Sequence, residues 1–134
     1  MSAAERTVGA VWEGGMRCTV DAGGFPLVVD EPPSAGGTGQ GPQPTELLLG
    51  AIASCFTLAV AHSAAKRDIE LRGLRVEATG TYDGPRFSSL RIEVRADAPV
   101  GADLERLTTA AARVCYVTNT LRGSPPIEIA VPDA

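Results

Sequence analysis

Two cysteines in apolar, helix-patterned segments are the residues of this chain best suited to chemistry. Cys55 lies in PTELLLGAIASCFTLAVAHSAAKR and Cys115 in LTTAAARVCYVTNTLRG. They are about sixty positions apart, so no local CxxC motif joins them. If the two helices pack together, both thiols can enter one apolar pocket. A pair placed that way can do peroxide chemistry: one thiolate attacks the peroxide, and the other resolves the sulfenic acid as a disulfide. Each cysteine can equally be a small buried hydrophobe, a common fate of free Cys.

The remaining candidates are weaker. Cys55 is about ten residues into its helix, roughly 15 Å from the N-terminus, so the helix dipole cannot activate it and burial alone disfavours its thiolate. A reactive Cys55 needs a cation or donor from elsewhere, and Arg17 and Arg113 are the nearest candidates. Glu46 sits where a helix-start charge belongs, or it orients an arginine or a substrate. His62 is two turns beyond Cys55, about 10 Å away and too far for a Cys–His hydrogen bond. Cys18, beside Arg17 in a short strand-like run, reads as a packing residue. One His and no Cys/His cluster leave no zinc pattern, and no P-loop, Rossmann or GxSxG fingerprint is present.

The elements that must position these groups follow from periodicity. Residues 6–13 alternate like a strand, with Val8, Ala10 and Trp12 on one face. Residues 16–21 and 25–30 flank Ala22-Gly23-Gly24 as a hairpin, and Pro26 suits a sheet edge. The Pro/Gly-rich stretch 31–44 is a loop that delivers the chain to a long helix over 45–67, whose apolar residues run all round and predict burial on most faces. Residues 73–82 and 87–96 alternate about Asp83-Gly84-Pro85, predicting an antiparallel hairpin with one wet face. Leu104, Leu107, Ala111 and Val114 recur at helical spacing, with Asn119 and Gly123 as stop signals. Ile127, Ile129 and Val131 predict a closing strand. Strands, long helix, two strands, helix and strand make an α+β fold, largely antiparallel, in a single domain over 1–134.

Composition limits the partners. The chain has 134 residues, 44% of them hydrophobic, and a formal charge of −4. Its pI near 4.9 supplies no basic surplus for a phosphate backbone, so no nucleic acid partner is expected. The N-terminal MSAAERTVGAVW lacks a charged region followed by a long apolar run, and the apolar stretch 47–61 falls short of the roughly 20 residues a bilayer span needs. A cytoplasmic protein with no membrane partner is expected, with free or transiently paired thiols. A helix this apolar in so short a chain also suggests a dimer.

PTELLLGAIASCF, ending just past Cys55, and VCYVTNTLRG, beginning beside Cys115 and followed by IEIAV, resemble the osmotically induced protein C / organic hydroperoxide resistance (OsmC/Ohr) family. The resemblance runs from about Val8 to Val131, and Asn119, four residues after the second cysteine, is part of it. It implies an intertwined homodimer with active sites at the subunit interface. By position, Cys55 would be peroxidatic and Cys115 resolving, with an external dithiol, lipoyl groups in one branch, as reductant and no bound cofactor. Thr45 stands where the peroxidase branches carry a glutamate, and Glu46 follows one residue later. These expectations give a thiol peroxidase for organic hydroperoxides. Cys55 and Cys115 would be catalytic, Arg17 would stabilise the thiolate, Glu46 would hold that arginine, and Leu48, Ile52, Phe56 and Ala59 would line the substrate pocket. The alternatives are a non-catalytic binding module for a lipid-like or thiol ligand, and a slow redox sensor.

Overall fold

The computed structural model describes residues 3–132, which pack as two compact units, Met1–Leu48 and Leu49–Ala134. The first holds an antiparallel three-stranded sheet in sequence order: β1 (Gly9–Trp12), β2 (Cys18–Ala22) and β3 (Phe25–Val29). The β2–β3 register pairs Ala22 with Phe25 across Gly23 and Gly24, both at positive φ, a backbone that glycine adopts without strain. Pro26 lies on β3, an edge strand, where its missing N–H costs the ladder nothing.

The 31–44 loop is tightly laid down. It contains a 3-10 turn at Pro33–Ala35 closed by Gly36 at φ 88°. Asp30, fully buried, accepts hydrogen bonds from the N–H groups of Glu31 (2.7 Å) and Gln40 (3.1 Å) and from the Thr38 hydroxyl (2.8 Å). These donors hold its carboxyl below the usual carboxylate range, the Gln40 N–H contributing most and the Thr38 hydroxyl next. Gly37 is required because a Cβ there would fall 1.9 Å from the Glu31 carbonyl oxygen.

Helix α1 (Pro44–Lys66) starts with Pro44 in its first turn, where a missing N–H is harmless. Glu46 reaches back to accept the Gln43 N–H at 2.9 Å, half of a capping box. By length and composition alone these 23 residues are long and apolar enough to cross a membrane, a test that a buried core helix passes as well. The burial on most faces predicted for α1 is corrected. Ile52, Phe56, Ala59, Val60, Ser63 and Ala64 form one buried face, while Leu58 on the other is 69% exposed.

In the second unit β4 (Arg75–Asp83) and β5 (Arg86–Arg95) form the predicted antiparallel hairpin, with Val76 opposite Val94 and Ala78 opposite Ile92. Helix α2 (Gly101–Val114) lays Leu107 and Ala111 into a core with Phe56, Ala59, Val60, Ala64 and Cys115, and Val76, Ile92 and Val94 pack against it. The buried stripe runs 107, 111, 115, so Val114, expected on it, is exposed. The expected single second helix is two: α2 stops at Val114, Cys115 turns to φ −78°, ψ 106°, and α3 runs Tyr116–Gly123. Val114, Tyr116 and Val117 flank the break with β-branched and aromatic side chains that favour a helix least. The predicted closing strand is absent. Ile127, Ile129 and Val131 are 86%, 91% and 95% exposed, without a strand partner among the described residues. A strand needs a partner to exist, so its alternating pattern is unused within one chain.

Candidate functional site

Helix packing brings Cys55 and Cys115 together. Both are free thiols, Cys115 fully buried and Cys55 partly so. Cys55 packs against the cluster that contains Cys115, and its thiol is one of the neighbours that act on the Cys115 thiol. The cause is the shared face. On α1, Cys55 adjoins buried Phe56 and lies one turn from Ala59, and the 107–111–115 stripe of α2 is pressed against that side.

The break after Val114 gives Cys115 its setting. It ends α2 and stands at the N-cap of α3, where the free N–H groups of a helix start lie. No side-chain capping hydrogen bond forms. Burial pushes the Cys115 thiol up. The Thr118 hydroxyl, the Thr118 N–H, the Cys55 thiol and the Val117 N–H together outweigh burial and bring it below the ordinary thiol value. The Thr118 hydroxyl donates to the Cys115 carbonyl oxygen at 3.4 Å. Asn119 fixes the kink: its N–H donates to the Cys115 carbonyl at 3.0 Å, and its Nδ2 donates to the Arg113 carbonyl at 3.2 Å.

Beside this pair, Ile52, Leu90, Ile92, Thr118, Leu121 and Arg122 line a hollow of about 260 Å³. Of the four predicted pocket residues, Ile52 lines that hollow, Phe56 lines a larger open groove below β5 and α2, and Ala59 is in the core cluster. Leu48 belongs to the first unit and is partly exposed. Glu46 and Arg17 also belong to the first unit: Glu46 caps α1, and Arg17 pairs with Glu13 at 3.1 Å. Cys18 is half-buried in β2, and His62 is exposed on α1. Arg113 lines a shallow hollow with Arg67, Glu105 and Arg106. Thr118 and Arg122 escaped the sequence analysis. Their offsets from Cys115, three and seven, put both on its face of a helix, a signal legible only once α3 is known to begin there.

Residues 37–130 match the family model described as OsmC-like protein. The chain belongs to the OsmC-like family. Solved structures agree with this OsmC-like fold across nearly its whole length. An organic hydroperoxide resistance protein OsmC from Legionella pneumophila, also described as a predicted redox protein, is 24% identical with a TM-score of 0.68, over 90% of this chain and 93% of that one. An OsmC-like protein from Mycoplasma pneumoniae is 21% identical with a TM-score of 0.72, over 91% and 90% of the two chains. A hypothetical protein from Aquifex aeolicus is 20% identical with a TM-score of 0.75, over the same shares. No curated protein matches.

Proposed function

We propose that this OsmC-like protein is a thiol-dependent peroxidase that reduces organic hydroperoxides. The observation that carries the proposal is that two free thiols, Cys55 and Cys115, meet at one apolar cluster. The Cys55 thiolate attacks the distal peroxide oxygen. An S–O bond forms, the O–O bond breaks, and the alkoxide leaves and takes up a proton. The Cys115 sulfur then attacks the Cys55 sulfenic acid, expelling hydroxide and closing the disulfide. An external dithiol, of lipoyl type, returns both sulfurs to thiols. Apolar surface at Ile52, Phe56 and Ala59 supports organic hydroperoxides over hydrogen peroxide as substrates.

The working form is a homodimer in the cytoplasm. Ile127, Ile129 and Val131 support the dimer, because an alternating apolar segment without a strand partner in its own chain is suited to pairing with a second copy. The decisive assay is consumption of cumene hydroperoxide with excess dithiol. The parent should turn over and Cys55→Ser should fall to background; equal rates would rule the mechanism out. The 260 Å³ hollow favours a second reading, retention of a small lipid-like ligand without turnover. Saturable ligand binding with no peroxide consumption would select it.

A further inference from the structure

Arg113 is close to Cys115 in sequence but not on its side of the helix. It stands two residues beyond buried Ala111, roughly 200° round α2, and so turns away from the sulfurs. It lines instead a hollow of about 450 Å³ together with Arg67, Arg106 and Glu105. That hollow shares no lining residue with the cluster that holds Cys115. Ala102, Thr109 and Ala110 complete the lining with small side chains, which leaves the space open. Three guanidiniums against one carboxylate make it positive, in a chain whose formal charge is −4. Local pairing does not use these cations up. Arg106 pairs with Asp103 one turn back. Arg67 donates to the Ser63 carbonyl of its own helix end at 3.0 Å and has no ion pair among the described residues. The Arg113 side chain has no ion-pair or hydrogen-bond partner among the described residues. On the wet face of β4–β5, by contrast, Arg75, Arg91 and Arg95 each meet a carboxylate. A cation in the last turn of a helix suits the helix dipole, which accounts for Arg113 alone. It does not account for three guanidiniums on one hollow, whose mutual repulsion an anion would relieve.

We propose that this hollow binds a small polyanion, a molecule carrying at least two carboxylate or phosphate groups, independently of the thiol chemistry. A guanidinium fork matches either oxyanion through two parallel N–H···O bonds. Arg106 and Arg113 are seven residues apart on one helix, two turns or about 10 Å along its axis. A single compact oxyanion therefore engages one fork well, and a second anionic group is needed to hold both. Arg67 joins them from just beyond the end of α1. Glu105 is the acidic residue of the lining. It opposes the ligand's charge and limits affinity, so neutralising it strengthens binding. The space is that of a small ligand. A nucleic acid backbone does not fit the same observations, because the chain has no basic surplus around the hollow to follow it.

The test is isothermal titration calorimetry of the full chain with tripolyphosphate and with citrate, at one fixed ionic strength. The parent should bind at least one of them saturably, one per chain. Tripolyphosphate alone would assign the site to phosphorylated ligands, citrate alone to polycarboxylates, and both to the shared oxyanion chemistry. Arg113→Ala and Arg67→Ala should each weaken binding about 10-fold. Glu105→Gln should tighten it about 2- to 5-fold. Arg86→Ala, which removes the same charge outside the hollow, should leave it unchanged. No saturable binding of either probe would overturn the proposal, and so would an equal loss in Arg86→Ala and Arg113→Ala, which would report net charge alone. If the two hollow arginine variants do not fold, unchanged affinity in Glu105→Gln overturns it instead. Peroxide consumption is a separate readout, so failure of either function leaves the other standing.

Discussion

Asp30 and Cys115 are built from the same parts and used differently. Each is buried. Each is held by backbone N–H groups and one threonine hydroxyl, from Glu31, Thr38 and Gln40 around the carboxylate and from Val117 and Thr118 around the sulfur. Both are shifted toward their charged forms. The difference is in the remaining donor. Every donor to Asp30 keeps its proton at any ordinary pH, so the carboxylate can only organise the loop. One neighbour of Cys115 is another thiol, so oxidation can join the two sulfurs. A buried polar group becomes chemically useful when one of its neighbours can react with it.

Substitutions can break this comparison at either end. The largest expected effect is at the sulfurs: Cys55→Ser should reduce peroxide turnover to background while leaving thermal unfolding near that of the parent. Next is the floor on which the sulfurs rest. Leu107 is fully buried between them and β4–β5, so Leu107→Ala should cost about 2–5 kcal/mol in denaturant unfolding. At the loop end, Gly37→Ala forces a Cβ into the Glu31 carbonyl and should cost about 1–3 kcal/mol by the same measurement.

Asp30 gives a pH signature. Its folded carboxyl is held below the ordinary value of 3.8 by the Gln40 N–H and the Thr38 hydroxyl. Its contribution to stability is therefore complete above about pH 4 and is lost as pH falls through the lower folded value. Thermal melts of Asp30→Asn should start lower than the parent's at neutral pH, and the gap should narrow under acid. Cys115 is shifted in the same direction, in an alkaline window. Its thiol is lowered from 9.0, so ultraviolet thiolate absorbance should appear at a pH where an ordinary thiol is still protonated, and Cys115→Ala should remove that early phase. The smallest effect belongs to the exposed Arg86–Asp83 pair at 3.3 Å. Arg86→Ala should change stability by no more than about 0.5 kcal/mol.

What was legible in the sequence follows from what is local. The β4–β5 hairpin was written in alternation and an Asp-Gly-Pro turn. Helix α1 was written in its apolar run and start signals, and its exposed Leu58 face shows that composition reports apolarity without saying what covers it. The convergence of the sulfurs was foreseeable as a possibility, since two apolar helices in one small α+β unit have few other places to pack. The kink at Cys115 was not, because 104–123 keeps a helical period through it, and only the backbone at one residue departs. Hidden with the kink were the donors of α3 and the role of Thr118. Asp30 was missed for a different reason: its partners, Thr38 and Gln40, lie in a loop whose path no periodicity records.

The central claim, that these two sulfurs form one redox unit, is tested most directly by a peptide map under non-reducing conditions after one equivalent of cumene hydroperoxide. The account predicts a Cys55–Cys115 linked pair, the loss of two hydrogens, and full reversal by a dithiol. Cys55 accumulating as sulfinic acid beside an unmodified Cys115, or a linkage that excludes either of them, would contradict it.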